Sequence, residues 1–283
     1  MKDMEPMEHM ERATGDGITL EYAVAGSGEP IVFIHGAFIA DPFRLLVAEP
    51  NLAGRYRRIT YHRRGYAGSS RTPGPVSIAQ QAADCRALLQ HLGVERAHVV
   101  GHSFGGCVAL QLALDAPDVV HSLAVLEPAL MVGASAPSYR EAQARSVQRY
   151  REVGGAVVVD EGLRARWPGY RATLDRVLPG AFDQAVADAA TTFELDIGLL
   201  DWQFGEAEAR RIAQPVLSVL GGESEALWAR FGETHRLLLD WLPRAEGFVL
   251  PGATHFLHLE SPSCSRGLAE ALAAFFAHYP LPT

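Results

Sequence analysis

The spacing of apolar positions changes several times along the chain, and each change marks an element. Residues 18–24 alternate apolar and polar side chains, the pattern of a strand with one covered face. Residues 30–34 are instead a continuous apolar run, as in a strand buried on both faces. Residues 57–61 read as the next strand. Ile78, Ala82, Cys85, Leu88, Leu89 and Leu92 then share one face of a helix, with Ser77 as its cap and Gly93 as its stop. Further strands are predicted at 97–100, 122–126, 215–220 and 247–250, and helices at 106–114 and 226–241. Ser261 and Pro262 form a cap and first-turn pair for a closing helix. Strands alternating with helices predict an α/β domain with a largely parallel sheet.

Residues 127–214 separate two of these strands, too long an interval for a bare loop. Helical patterns at 139–153, 170–178 and 182–193 predict an inserted helical lid over 131–210, with the core formed by 15–130 and 211–283. Residues 1–14 read as an unstructured tail, because methionine alternates there with charge and no apolar signal core develops. No run approaches the length of a membrane span, so a cytoplasmic location is expected. Composition narrows the partners further: 283 residues that are 48% hydrophobic suffice for a large core, and a net charge of −8 argues against nucleic acid. Lys2 is the single lysine, so nearly all positive charge is arginine. Cys85, Cys107 and Cys264 fall in helical patterns and read as buried thiols. No metal-ligand spacing is present, and neither metal nor cofactor is expected.

The chemistry concentrates where residues 97–100 run into Gly101-His102-Ser103-Phe104-Gly105 and a helix follows. A serine held on so sharp a strand-to-helix turn leaves no room for side chains two positions away on either side, hence the two glycines. The same turn aims the amide of Phe104 at the oxygen of an attacked carbonyl. A serine hydroxyl needs a base, and His255 follows the last predicted strand in Pro251-Gly252-Ala253-Thr254-His255-Phe256, at the sheet edge where ligands collect. His258 is its rival. His35-Gly36-Ala37-Phe38 follows the buried strand at 30–34, and the amide of Ala37 is the candidate second oxyanion donor, with His35 a structural residue. Arg63-Arg64-Gly65-Tyr66-Ala67-Gly68-Ser69 reads as a rigid turn beside the site.

Taken in order, the His-Gly motif, the R-G-x-x-G-S turn, the G-x-S-x-G elbow, the insertion and the late P-G-x-x-H-F resemble the α/β-hydrolase superfamily over about residues 15–279. The resemblance implies a mostly parallel eight-stranded sheet flanked by helices, with a reactive serine under a helical lid. Members usually place an aspartate three residues after the glycine that ends the seventh strand, here Gly221, and that position holds Ser224. Serine cannot offset an imidazolium. The acid is therefore assigned to Glu127, directly after a buried strand where a carboxylate needs a partner, with Glu225 and Glu223 as the alternatives. A glutamate there is similar to zearalenone-type lactonases, whereas residues 61–70 resemble loops of carbon–carbon bond hydrolases and cofactor-free haloperoxidases.

Phe38, Trp167, Tyr170, Trp202 and Phe256 are the candidate pocket residues, with Phe182, Phe193 and Phe204 as further lid aromatics. The arginines from Arg140 to Arg176 make the first half of the insertion basic, and one turned inward would suit a substrate carboxylate. These readings together imply a serine hydrolase with a Ser103–His255–Glu127 triad, acting on a small to medium, largely apolar carboxylic ester or lactone. Carbon–carbon bond hydrolysis or perhydrolysis on the same site is the alternative, and a small-molecule receptor on the same scaffold is the alternative from another class.

Overall fold

Eight strands form one sheet in the order β1-β2-β4-β3-β5-β6-β7-β8 in the computed structural model, which describes residues 10–282. They are β1 (Glu11–Gly15), β2 (Ile18–Ala25), β3 (Glu29–Ile34), β4 (Tyr56–Tyr61), β5 (Ala97–His102), β6 (Val120–Leu126), β7 (Val216–Gly221) and β8 (Ala245–Leu250). The pairs β1/β2 and β2/β4 are antiparallel and every other neighbour is parallel. Every residue of β5 and β7 is buried, which explains why these strands carry apolar runs without alternation. Because β3, β5, β6, β7 and β8 run the same way, the loops that leave their C-terminal ends meet at one edge.

Residues 11–14, expected as part of an unstructured tail, belong instead to β1, which pairs with β2 from Glu11↔Tyr22 to Gly15↔Ile18. The turn between them is Asp16-Gly17, with φ of 50° and 75°, the left-handed pair that a tight hairpin requires. The strand is exposed except for Ala13, so it lacks the apolar signature that marks the others. The rest of the expected tail, residues 1–9, lies outside the described residues.

Helices cover both faces. On one, Ile78–His91 and Phe104–Asp115 pack against β5 and β6 around Val99, Leu110 and Leu123. On the other, Pro262–His278 closes a cluster with Ile31, Val100 and Leu217. Ser77 caps the first of these helices through a reciprocal box with Gln80, at 3.1 Å and 2.9 Å. Ser261 caps the last by accepting from the Cys264 amide at 3.1 Å, with Pro262 in the first turn. Cys85, Cys107 and Cys264 are free and buried. Among the described residues no helix is long and apolar enough to cross a membrane.

Between β6 and β7 lie the helices Ala136–Val153, Gly155–Arg166, Tyr170–Val177 and Ala181–Ala187, the short turns Thr191–Leu195 and Asp196–Asp201, and Glu206–Ala209. Val159, Leu163, Leu174 and Phe193 form a third apolar cluster there that also takes in Phe38 and Phe256. One buried ion pair ties this segment to the sheet. Arg63 donates to Asp196 through Nη2 at 2.9 Å and Nη1 at 3.1 Å, and the two are only 1% and 6% exposed. The Asp196 carboxylate also accepts from Tyr66 Oη at 2.8 Å and Gln81 Nε2 at 3.1 Å, so its oxygens are satisfied. Nearby, Thr191 Oγ1 donates to the Gly65 carbonyl at 2.6 Å. Gly65 has φ of 88°, and a side chain there would meet Thr191 Cγ2 at 2.6 Å.

Breaking this tie should be costly, because it leaves a guanidinium buried without its counter-charge. We expect Asp196→Ala to lower unfolding free energy by about 3–5 kcal/mol, whereas Glu141→Ala, in an exposed pair with Arg145, should cost under about 1 kcal/mol. Urea unfolding midpoints measure both; equal costs would refute the structural weight given to Asp196.

Candidate active site

Ser103 sits between β5 and the helix Phe104–Asp115 with φ of 53° and ψ of −117°, a conformation disfavoured for any residue with a side chain. Its backbone is held there on both sides. The Ser103 amide donates to the Leu126 carbonyl at 2.9 Å, and the Ser103 carbonyl accepts from Gly106 and Ala129 at 3.0 Å each. Glycine flanks the turn for steric reasons: a Cβ on Gly105 would run into the Ile34 carbonyl, and one on Gly101 would meet Ala109 Cβ at 2.8 Å. Gly36 is equally constrained, since a Cβ there would come within 3.0 Å of Ser103 Cβ.

Three side chains from three strand ends then form one relay. His255, in the loop after β8, has Nε2 at 3.0 Å from Ser103 Oγ and Nδ1 at 2.7 Å from Glu127 Oε2. The other Glu127 oxygen accepts from the Gly221 amide at the end of β7 at 2.7 Å. Glu127 reaches this position because its own φ is 45°, turning the chain sharply off β6, and its amide bonds to Val219 of β7 at 3.1 Å. Ser224 is fully buried beside it. Glu223 and Glu225 are exposed, and Glu225 is paired with Arg236 at 3.0 Å. His258 packs tilted against His102 with ring centres 4.3 Å apart, and both of its ring nitrogens are without hydrogen bonds.

The histidine loop is fixed by groups that sequence reading passed over. The His102 Nε2 donates to the His255 carbonyl at 2.8 Å, Phe231 stacks on the His255 ring at 4.6 Å, and the Glu260 carboxylate accepts from the amides of Thr254 and Phe256 at 2.9 Å and 3.0 Å. Burial raises the Glu127 carboxyl to about 7, while the Ser224 hydroxyl, the Gly221 amide and the Arg230 charge act the other way. Burial, followed by the charges of Arg230 and Arg166, holds His255 well below the usual imidazole range. The resting imidazole is neutral, the form able to accept a proton.

Ala37 and Phe104 border the same space, and the Phe104 amide, first in its helix, has no intrahelical acceptor. Arg63 pins the Ala37 loop by donating to the carbonyls of His35 at 2.9 Å and Gly36 at 3.1 Å, while its guanidinium covers the Phe104 ring at 4.3 Å. His35 accepts from the Arg63 amide through Nε2 and donates through Nδ1 to Gly36 O, a structural arrangement. The turn at 63–69 thus supports the site directly. No local pattern disclosed this, because the partners are far apart in the chain.

Ser103 and His255 open on a cavity of about 420 Å³. Its apolar wall includes Phe38, Phe256, Phe193, Val158, Met131, Tyr139 and Trp228, and its polar lining includes Arg166 and Gln143 together with Arg145, Arg149, Glu161 and Asp196. Of the expected pocket residues, Phe38 and Phe256 border this cavity. Trp167, Tyr170 and Trp202 are not part of the wall: Trp167 packs behind Phe256 at 5.6 Å, Tyr170 is buried among the helices and donates to Asp160 at 2.7 Å, and Trp202 faces the sheet side and donates to Gln111 at 2.6 Å. Each is an aromatic spent on packing between elements and not on the cavity. Among the described residues no group of three or more His, Cys, Asp or Glu side chains is placed to hold a metal.

The family model described as alpha/beta hydrolase fold matches residues 29–158. The dihydrolipoyllysine-residue acetyltransferase component of the acetoin cleaving system of Cupriavidus necator is 34% identical over 77% of this chain, and the chain spans 58% of that relative's length. Among solved structures, the enol-lactonase from Burkholderia xenovorans superposes with a TM-score of 0.80 at 23% identity, covering 94% of this chain and 100% of its own. A thermophilic esterase from Thermogutta terrifontis gives 0.74 at 20% identity, covering 94% and 99%. The chain has the α/β-hydrolase fold.

The burial of Glu127 carries a stability consequence of definite sign. Its carboxyl titrates near 7 in the folded chain and near its ordinary value when unfolded, so the folded state holds the extra proton between those limits. Stability from this group is full at low pH and is lost as pH rises toward 7. The buried histidines act in the opposite sense, so the comparison must be with a variant. We expect Glu127→Gln to gain stability relative to the parent from pH 5 to pH 8, by about 3 kcal/mol at the upper end, read from paired denaturation curves. A difference that stays flat with pH would contradict the burial effect.

Proposed function

We propose that this α/β-hydrolase-fold chain is a serine hydrolase that cleaves a small to medium-sized, largely apolar carboxylic ester or lactone through an acyl-enzyme. The observation that carries the reading is the unbroken relay from Glu127 to His255 to Ser103, at 2.7 Å and 3.0 Å, ending in an apolar cavity. The cavity volume suits a small ligand. The names of the solved structures it superposes on, an enol-lactonase and an esterase, agree with carboxylic ester chemistry.

In this reading Ser103 Oγ attacks the substrate carbonyl while its proton passes to His255 Nε2. Glu127 keeps Nδ1 protonated and stabilises the imidazolium. The amides of Ala37 and Phe104 receive the developing oxyanion, at the N-terminal end of a helix whose dipole favours negative charge. His255 then donates its proton to the leaving alkoxide, takes one from water, and the resulting hydroxide attacks the acyl-enzyme to release the acid. The residues at 131–210 act as a lid, and Phe193 and Val158 set the shape of the acyl site.

The test is turnover of p-nitrophenyl esters of graded chain length and of simple lactones. Ser103→Ala should lose on the order of a million-fold in kcat with its fold intact, and Glu127→Gln roughly a thousand-fold or more. Glu223→Gln and Glu225→Gln should change rates only a few-fold, since exposed charges are screened. For the parent, kcat/KM should fall as pH drops through about 7, where Glu127 gains a proton. A folded Ser103→Ala protein with a tenth of the parent activity would rule out the serine mechanism, and collapse of the Glu225 variant with Glu127→Gln unharmed would move the acid to the β7 turn.

A further inference from the structure

Two guanidinium groups, that of Arg166 part-buried in the cavity wall and that of Arg230 buried behind it, have no counter-ion among the described residues. Arg166, the last residue of its helix, stands in the cavity wall and donates through Nη1 to the Gly162 carbonyl at 2.8 Å. Its charge lies 5.4 Å from the Phe38 ring centre and 4.8 Å from that of Trp228. Arg230 is 5% exposed, and its Nε, Nη1 and Nη2 all lack hydrogen-bond partners. It stacks on Tyr139 at 4.0 Å and lies 5.2 Å from Trp228, both of which line the cavity. Among the described residues neither arginine enters an ion pair.

The carboxylates in the same wall are already committed. Asp196 is held by Arg63 at 2.9 Å, and Glu161 by Arg149 at 3.1 Å. Glu127, whose carboxyl feels the Arg230 charge, is bonded to His255 and Gly221. One positive charge in the wall, Arg166, and a second directly behind it, Arg230, therefore remain in surplus beside a mostly apolar chamber, where an uncompensated ion is costly and ring faces offset only part of that cost. Burial, and after it the like charge of Arg230, lowers Arg166 to about 10, against the influence of Tyr139, so it stays charged at neutral pH. Tyr139 accepts a bond from Gln143 Nε2 at 2.8 Å, which leaves its own hydroxyl proton free to donate.

We propose that Arg166, backed by Arg230 and joined by Tyr139, receives a carboxylate carried by the substrate, so that the ester or lactone cleaved here bears a second, free carboxylate. This rests on the hydrolase reading above and narrows it. The bound carboxylate replaces the missing counter-ion, its oxygens take the unused guanidinium and phenol donors, and Phe38, Phe193 and Phe256 cover the carbon skeleton between it and the reacting carbonyl. An anionic molecule gains charge-assisted bonds that a neutral one of equal length cannot make, which is a basis for selection as well as affinity.

The experiment compares the mono-p-nitrophenyl ester of glutaric acid with p-nitrophenyl pentanoate, and separately measures glutarate binding to Ser103→Ala by tryptophan fluorescence and calorimetry. We expect the parent to favour the anionic ester by at least about ten-fold in kcat/KM, and this preference to shrink toward unity in Arg166→Gln and Arg230→Gln. Glutarate should bind Ser103→Ala, pentanamide should not, and adding Arg166→Gln should abolish the binding. If Arg230→Gln does not fold, the Arg166 variant and the binding measurement decide alone. Cleavage of both esters without preference, together with no glutarate binding, overturns the carboxylate site and leaves the hydrolase reading standing. Glutarate binding that depends on Arg166, in a protein that cleaves neither ester, has the reverse meaning.

Discussion

The 2.7 Å hydrogen bond between Glu127 and His255 is the constraint around which the C-terminal edge of the sheet is arranged. It joins the end of β6 to the loop after β8, and the Gly221 amide brings in the end of β7. A carboxylate 3% exposed is tolerated only where its oxygens are bonded. That requirement explains several otherwise unrelated features. Glu127 takes a left-handed conformation so that its side chain points across the edge, Ser224 is buried beside it, and the Glu223 amide is tied to the Ala253 carbonyl at 2.9 Å, which joins the loops after β7 and β8. Ser103 adds a second left-handed residue, and such strain costs on the order of 1–3 kcal/mol per residue, offset by the bonds its backbone makes to Leu126, Gly106 and Ala129.

Charge inside the molecule is otherwise balanced locally. Arg63 meets Asp196, Arg64 meets Asp84, and Asp188 is met by Arg71. The first of these pairs also sets function, because the same guanidinium that binds Asp196 holds the carbonyls of His35 and Gly36, and so fixes the loop that presents Ala37. One ion pair therefore couples the inserted helices to the proposed oxyanion loop. Against that background Arg166 and Arg230 are conspicuous. Both charges lower His255, and that of Arg230 also favours ionised Glu127, so the proposed carboxylate receptor and the proposed catalytic pair share one electrostatic environment.

Much of this was legible in the sequence wherever the cause is local. Strands β3, β5, β6 and β7 are apolar because both faces are covered, and the glycines around Ser103 are demanded by contacts with β3 and the next helix. His255 could be chosen from chain order, and Glu127 because Ser224 is no acid and a carboxylate beside a buried strand needs a partner. What stayed hidden depends on distant neighbours. Strand β1 is nearly all exposed, and the run Val157-Val158-Val159 masks the helical period of Gly155–Arg166. Arg63 and Asp196 stand 133 positions apart. Aromatics at helical spacing look alike whether they face a cavity or a core: of the lid aromatics offered by the sequence Phe193 lines the chamber while Trp167, Tyr170 and Trp202 do not, and Tyr139 and Trp228 line it unforeseen.

The claim that most depends on all of these features is that Ser103 becomes acylated. Mixing the protein with p-nitrophenyl butyrate, quenching in acid within the first turnover and mapping the digested chain by mass spectrometry tests it directly. The account predicts a butyryl adduct on the peptide that contains Ser103, formed in step with nitrophenol release and decaying at the rate of steady-state turnover. Ester cleavage with no adduct, or with an adduct on another residue, would contradict it.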